Sequence, residues 1–91
     1  MAWTIEFDEH ARRQLKKLDR QTALRLYSFL SDRIAPLDDP RLLGKALQGA
    51  SLGSYWFYRV GDYRIICELH DHRLVVLVLA LGNRREVYRR R

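Results

Sequence analysis

Cysteine is almost missing from this chain. The single copy, Cys67, excludes an internal disulfide and with it the small secreted class that depends on disulfide frameworks. Long apolar runs are missing as well. The longest is LVVLVLAL, the eight residues Leu74 to Leu81, far short of the roughly 20 that a membrane helix needs. The opening MAWTIEFDEH lacks the basic-then-apolar pattern of a secretory signal. A soluble, cytoplasmic protein is the expectation. There is no Gly-rich phosphate loop, no nucleophile elbow and no HExxH, which removes the commonest nucleotide-hydrolase, serine-hydrolase and zinc-protease readings. Acidic residues are scarce in the second half. Residues 40–91 hold four acidic residues against ten basic ones, which accounts for the whole net charge of +6. Residues 1–39 balance at seven of each. Half of the chain reads as a neutral scaffold and half as a cationic surface suited to a polyanion, either nucleic acid or an acidic protein. Lysine is rare too. Fourteen of the seventeen basic residues are arginine, the side chain that recognises phosphate with two parallel hydrogen bonds.

What is present organises as one domain over residues 1–91, with 47% hydrophobic residues, too many for a disordered chain. In AWTIEF, residues 2–7, Trp3, Ile5 and Phe7 alternate with polar residues and predict a strand. Asp8 is a good N-cap, and Ala11, Leu15 and Leu18 recur at helical spacing over about residues 9–18. Asp19 starts a second helix with the stripe Ala23, Leu26, Tyr27, Leu30 and Ile34, ended by Pro36. Residues 36–54 hold both prolines and three glycines and read as a long connection with a short helical turn at Arg41-Leu42-Leu43. Lys45 lies in it. Three strands follow, Tyr55–Val60, Tyr63–Leu69 and Leu74–Leu81. The last is apolar throughout and is expected to be central and covered on both faces. The order β-α-α-β-β-β predicts an α+β fold, a helical hairpin on a small, mainly antiparallel sheet.

Between the first two of these strands stands RVGDYR. Gly61-Asp62 reads as a two-residue hairpin loop, which makes Val60 and Tyr63 the first facing pair and Arg59 and Arg64 the second. Like charges directly opposite each other destabilise a sheet. Either both side chains splay into water, or something anionic sits between them. Alternation places Arg64 with Ile66 and Glu68 on the face shared by Arg59, Phe57 and Tyr55. Arginine beside aromatic rings is how single-stranded RNA is held. The basic run Asn83-Arg84-Arg85-Glu86-Val87-Tyr88-Arg89-Arg90-Arg91 begins where the last strand ends. It is either a basic tail or part of the same site, in which case the surrounding positive charge favours the Tyr88 phenolate and equips it to move a proton. His70, His72 and Cys67 match no zinc spacing, and a strand turns Cys67 and His70 to opposite faces. No metal and no cofactor are expected. His10 stands among charged neighbours and is expected to be exposed. Asp38-Asp39 before Pro40 is turn chemistry.

The segments Lys45-Ala-Leu-Gln-Gly49, Tyr55-Trp-Phe-Tyr-Arg-Val-Gly-Asp-Tyr-Arg-Ile-Ile66 and Gly82-Asn-Arg-Arg-Glu-Val-Tyr88 resemble the RelE family of bacterial toxins, in the RelE/ParE superfamily of toxin–antitoxin modules. The likeness covers nearly the whole chain. It implies a microbial-RNase-like fold and a metal-independent endoribonuclease that cuts mRNA in the ribosomal A site. By position, Arg64 and Arg84 would stabilise the phosphorane and Tyr88 would be the general base. Arg59, Lys45, Phe57 and Arg85 would contact RNA or its phosphates. Two positions depart from the pattern. Phe57 stands where many relatives carry Arg or Lys, and Asn83 where many carry His. The resemblance further implies a cognate antitoxin, the ribosome and mRNA as partners, and promoter DNA bound through the toxin–antitoxin complex. A ParE-like inhibitor of DNA gyrase and a binding module without catalysis are the alternatives.

Overall fold

A computed structural model describes residues 2–47 and 55–83. Strand β1 (Thr4–Phe7) leads into helix α1 (Glu9–Lys17), then α2 (Arg20–Ser28) and a π-helical segment (Phe29–Ile34). A 3-10 turn (Pro40–Leu42) precedes strands β2 (Lys45–Ala46), β3 (Tyr55–Val60), β4 (Tyr63–His70) and β5 (Val75–Asn83). The five strands form one sheet in the order β1-β5-β4-β3-β2, with β1 parallel to β5 and the other neighbours antiparallel. The α+β order is the expected one. The addition is β2, which turns Lys45 from a loop residue into part of the sheet edge.

Both helices start where the sequence places a cap. The Asp8 carboxylate accepts the Ala11 N–H at 2.9 Å and Asp19 accepts the Thr22 N–H at 3.1 Å, satisfying donors that a helix N-terminus leaves open. The Thr22 hydrogen bonds hold the Asp19 carboxyl below its ordinary pKa. The second helix does not run on as α-helix to Pro36. Leu26, Leu30 and Ile34 are all fully buried at four-residue spacing, which drifts by about 40° per step on an α-helix. The wider turn over Phe29–Ile34, seen in the Ala35 N–H to Leu30 carbonyl bond of 2.9 Å, keeps Leu30 and Ile34 aligned with the core. Tyr27, expected in that stripe, is instead exposed and stacks on Phe7.

One face of the sheet carries the main core, where Tyr58, Val60, Ile65, Cys67, Val76, Val78 and Leu81 meet the helices. Burial pushes the Cys67 thiol pKa up, so it stays a neutral core group. Tyr58 is buried, and its hydroxyl donates to the Pro40 carbonyl at 2.8 Å, which docks the 3-10 turn on β3. Replacing Tyr58 with Phe strands that carbonyl. A loss of about 1–2 kcal/mol in urea unfolding is expected, with no change in the secondary structure.

β5 begins at Val75 and not at Leu74, whose φ of 53° places it in the left-handed region that closes the turn after β4. Further along, the pairing slips. Ile66 faces Ala80 but Cys67 faces Val78, so Leu79 is an extra residue in a β-bulge. The bulge reverses which residues face the helices. Val76 and Val78 lie in the core before it and Leu81 after it. Where β1 has ended, the Leu81 N–H is taken by the Gln14 side chain at 2.8 Å. Coverage of β5 on both faces is only partial, because Leu77 and Leu79 stay half-buried.

Candidate nucleic-acid interface

The sheet face turned away from the helices holds the cations. Val60 pairs with Tyr63 and Arg59 with Arg64 across the Gly61-Asp62 turn, as the sequence predicts. Gly61 has a φ of 61°, and a Cβ there would press on the Arg25 guanidinium of α2 at 2.9 Å. The hairpin tip is thereby fitted against the helix layer.

The Arg64 guanidinium carbon stands 5.1 Å from the centroid of the Phe57 ring. Phe57 is its diagonal neighbour on β3, within reach of a long side chain. The contact is a cation–π pair. Arg59 remains exposed and makes no hydrogen bond or ion pair among the described residues. A guanidinium is a planar fork that can donate to two oxygens of one phosphate. On the far side, β5 presents Gly82 opposite Arg64. Gly82 is buried, and a Cβ there would meet no described heavy atom within 4 Å.

The next row holds Lys45, Phe57, Ile66 and Ala80. Ile66 and Ala80 form a small apolar cluster with Leu47 and Phe57. The third row brings Tyr55 against Glu68. That carboxylate lies 3.0 Å from the His70 Nε2 and so faces away from the arginine end. Arg64, Arg59, Phe57 and Lys45 are thus gathered on one face. Arg84, Arg85 and Tyr88 lie outside the described residues, as do residues 48–54.

His10 is not the exposed histidine expected. Its Nε2 is buried with no partner among the described residues. It borders a hollow of about 690 Å³ on the helix side, with Gln14, Lys17, Tyr63 and Asn83. Among the described residues no three His, Cys, Asp or Glu side chains converge as metal ligands, and no helix is long and apolar enough to cross a membrane. Two contributors escaped the sequence reading. Gly82 looks like an ordinary strand end until its partner is known. Gly44, with φ of 80°, brings the chain against β3 so closely that a Cβ would collide with the Phe57 carbonyl oxygen.

A family model for the ParE toxin of the type II toxin–antitoxin system parDE matches residues 5–88. The chain belongs to the RelE/ParE superfamily of toxins. Toxin RelG of Mycobacterium tuberculosis is 29% identical to this toxin over 90 residues, covering 99% of this chain and 100% of that one. The Escherichia coli protein named mRNA interferase toxin RelE is 30% identical over 90 residues, covering 97% and 92%. Among solved structures, the M. tuberculosis toxin–antitoxin complex RelBE2 superposes with a TM-score of 0.82 at 26% identity, over 94% of this toxin and 95% of that chain. Free E. coli RelE, in a mutant form with two arginines replaced by alanine, superposes with a TM-score of 0.75 at 27% identity, over 97% and 92%. The fold of this toxin is therefore RelE-like.

Proposed function

We propose that this toxin is a ribosome-dependent, metal-independent endoribonuclease that cuts mRNA in the A site. The observation that carries the reading is the cross-strand Arg59–Arg64 pair, with the Arg64 guanidinium carbon 5.1 Å from the centre of the Phe57 ring. Phosphoryl transfer asks a protein for positioning and charge neutralisation above all. In the proposed reaction the 2′-hydroxyl of one nucleotide attacks its 3′-phosphorus. Tyr88, as phenolate, takes the hydroxyl proton. Arg64 and Arg84 bind the non-bridging oxygens as charge builds on the phosphorane. The bond to the 5′-oxygen then breaks, and that oxygen picks up a proton, leaving a 2′,3′-cyclic phosphate and a 5′-hydroxyl. Arg59, Lys45 and Arg85 hold flanking phosphates. Phe57 serves first as the surface that orients Arg64.

The name mRNA interferase on the E. coli relative supports this reading. Solved relatives that are complexes with antitoxins support a cognate antitoxin as partner, and charge favours an acidic or amphipathic segment that covers the cationic face. Binding of promoter DNA through that complex follows from the family by analogy.

Primer extension on an mRNA under translation in a purified system, with and without ribosomes, tests the proposal. Cuts in A-site codons that require ribosomes are the expected result. A second reading, inhibition of DNA gyrase, is favoured by the ParE designation of the matching family model. An uncut mRNA together with blocked supercoiling in a gyrase assay would replace the first reading with the second.

A further inference from the structure

β2 pairs with only two residues of β3, Phe57 and Trp56. Beyond them the edge of β3 meets no described strand, and the π-helical segment turns toward the gap. A cleft of about 280 Å³ results, walled by Phe29, Gly44, Phe57 and Tyr58 and rimmed by Arg33, Lys45 and Arg59. It lies beside the Arg59–Arg64 site and shares Arg59 with it.

The cleft is built, not incidental. The Trp56 Nε1–H donates to the Leu43 carbonyl at 2.7 Å, and the left-handed Gly44 presses that loop onto β3. Phe29 meets the Tyr58 ring edge-on at 5.8 Å. Arg33, four residues on, stands over the Phe29 ring, its guanidinium carbon 6.0 Å from the centroid. Arg33, Lys45 and Arg59 make no ion pair with any described carboxylate. Three unneutralised cations around an aromatic wall call for a flat group that carries negative charge. Stacking supplies sequence-tolerant affinity for a base, and the cations supply the phosphate contact.

We infer that this cleft is a nucleotide subsite, which takes one unpaired nucleotide of the RNA lying across the Arg59–Arg64 site. Its base lies in the cleft against Phe29, and its phosphate bridges Arg33 and Arg59. The inference rests on the endoribonuclease reading for the identity of the RNA. The side chain it adds to that reading is Arg33, from the charge-balanced half of the sequence.

The test titrates the purified toxin with adenosine 5′-monophosphate, with inorganic phosphate and with a glutamate-rich peptide, following backbone amides by NMR. Steady-state mRNA cleavage is measured in parallel. The nucleotide should shift the Phe29 and Gly44 amides at lower concentration than phosphate does. Arg33→Ala should weaken it about tenfold, and Arg33→Lys should lose less. In cleavage, Arg33→Ala should raise KM several-fold with kcat nearly unchanged, because the residue binds RNA away from the reacting phosphate. Unmoved amides, or a wild-type KM for Arg33→Ala, in a toxin that still cuts mRNA would overturn the subsite and leave the activity standing. Nucleotide binding that depends on Arg33 in a toxin that cuts nothing would keep the subsite and remove the nuclease reading. Tighter response to the peptide than to the nucleotide would make the cleft a protein-docking site and overturn the inference.

Discussion

Arg64→Ala should cut mRNA on the ribosome about 10²- to 10³-fold more slowly than the wild type, the usual effect of losing one donor to a transition-state oxyanion. The loss should fall on kcat, because the charge that Arg64 meets is largest in the phosphorane. Folding should be untouched, since the side chain lies on the sheet face away from the main core. Arg64→Lys should recover little. A lysine keeps the charge but has neither the planar surface that rests 5.1 Å from Phe57 nor the fork that takes two phosphate oxygens. Phe57→Ala gives a separate check on that geometry. It leaves Arg64 in place without the ring that aims it, and should fall between wild type and Arg64→Ala. Equal rates for Arg64→Ala and wild type in single-turnover cleavage would show that the arginine pair is only a solvated surface.

Gly44→Ala should be the most damaging single methyl group added to this fold. At φ of 80° an alanine incurs about 1–2 kcal/mol of left-handed strain. Its Cβ would also strike the Phe57 carbonyl oxygen, with the Tyr58 ring at 2.7 Å and the Trp56 Nε1 at 2.8 Å. One of these is backbone of a paired strand and cannot swing aside. A total of about 3 kcal/mol is expected, near the top of the range for point substitutions, and a fall in Tm of about 10 °C or more. Gly44→Asn separates the two causes. Asparagine tolerates the left-handed region better, so a similar fall for Asn and Ala would assign most of the cost to the collision. A Tm for Gly44→Ala that matches wild type would mean that the loop does not hug β3 as described.

The helix caps, the hairpin and the arginine face were legible because each is local. Asp8 and Asp19 announce helix starts, Gly61-Asp62 fixes a register, and period-two alternation then assigns every side chain of β3 and β4 to a face. What escaped depends on partners distant in sequence. The strand at Lys45-Ala46 is two residues long and exists because Gly44 and Trp56 hold it against β3. The bulge at Leu79 is invisible in LVVLVLAL, since a run that is apolar at every position carries no alternation to interrupt. The π-helical segment answers a packing demand set by the sheet, and Arg33 on it rims the same cleft as Arg59, although charge counting by halves put the cationic surface elsewhere. His10 looked wet because its chain neighbours are charged, while its burial comes from across the fold. The roles given to Arg84, Arg85 and Tyr88 rest on the family resemblance.

The parallel pairing of β1 with β5, Thr4 beside Val75 and Phe7 beside Val78, joins the two described strands that lie farthest apart in sequence. Until β5 is made, the main core lacks Val76, Val78 and Leu81 and β4 lacks one of its two neighbouring strands. Contacts of such long sequence separation form late and slowly. The nascent chain thus has no assembled Arg59–Arg64–Gly82 row until β5 has been made.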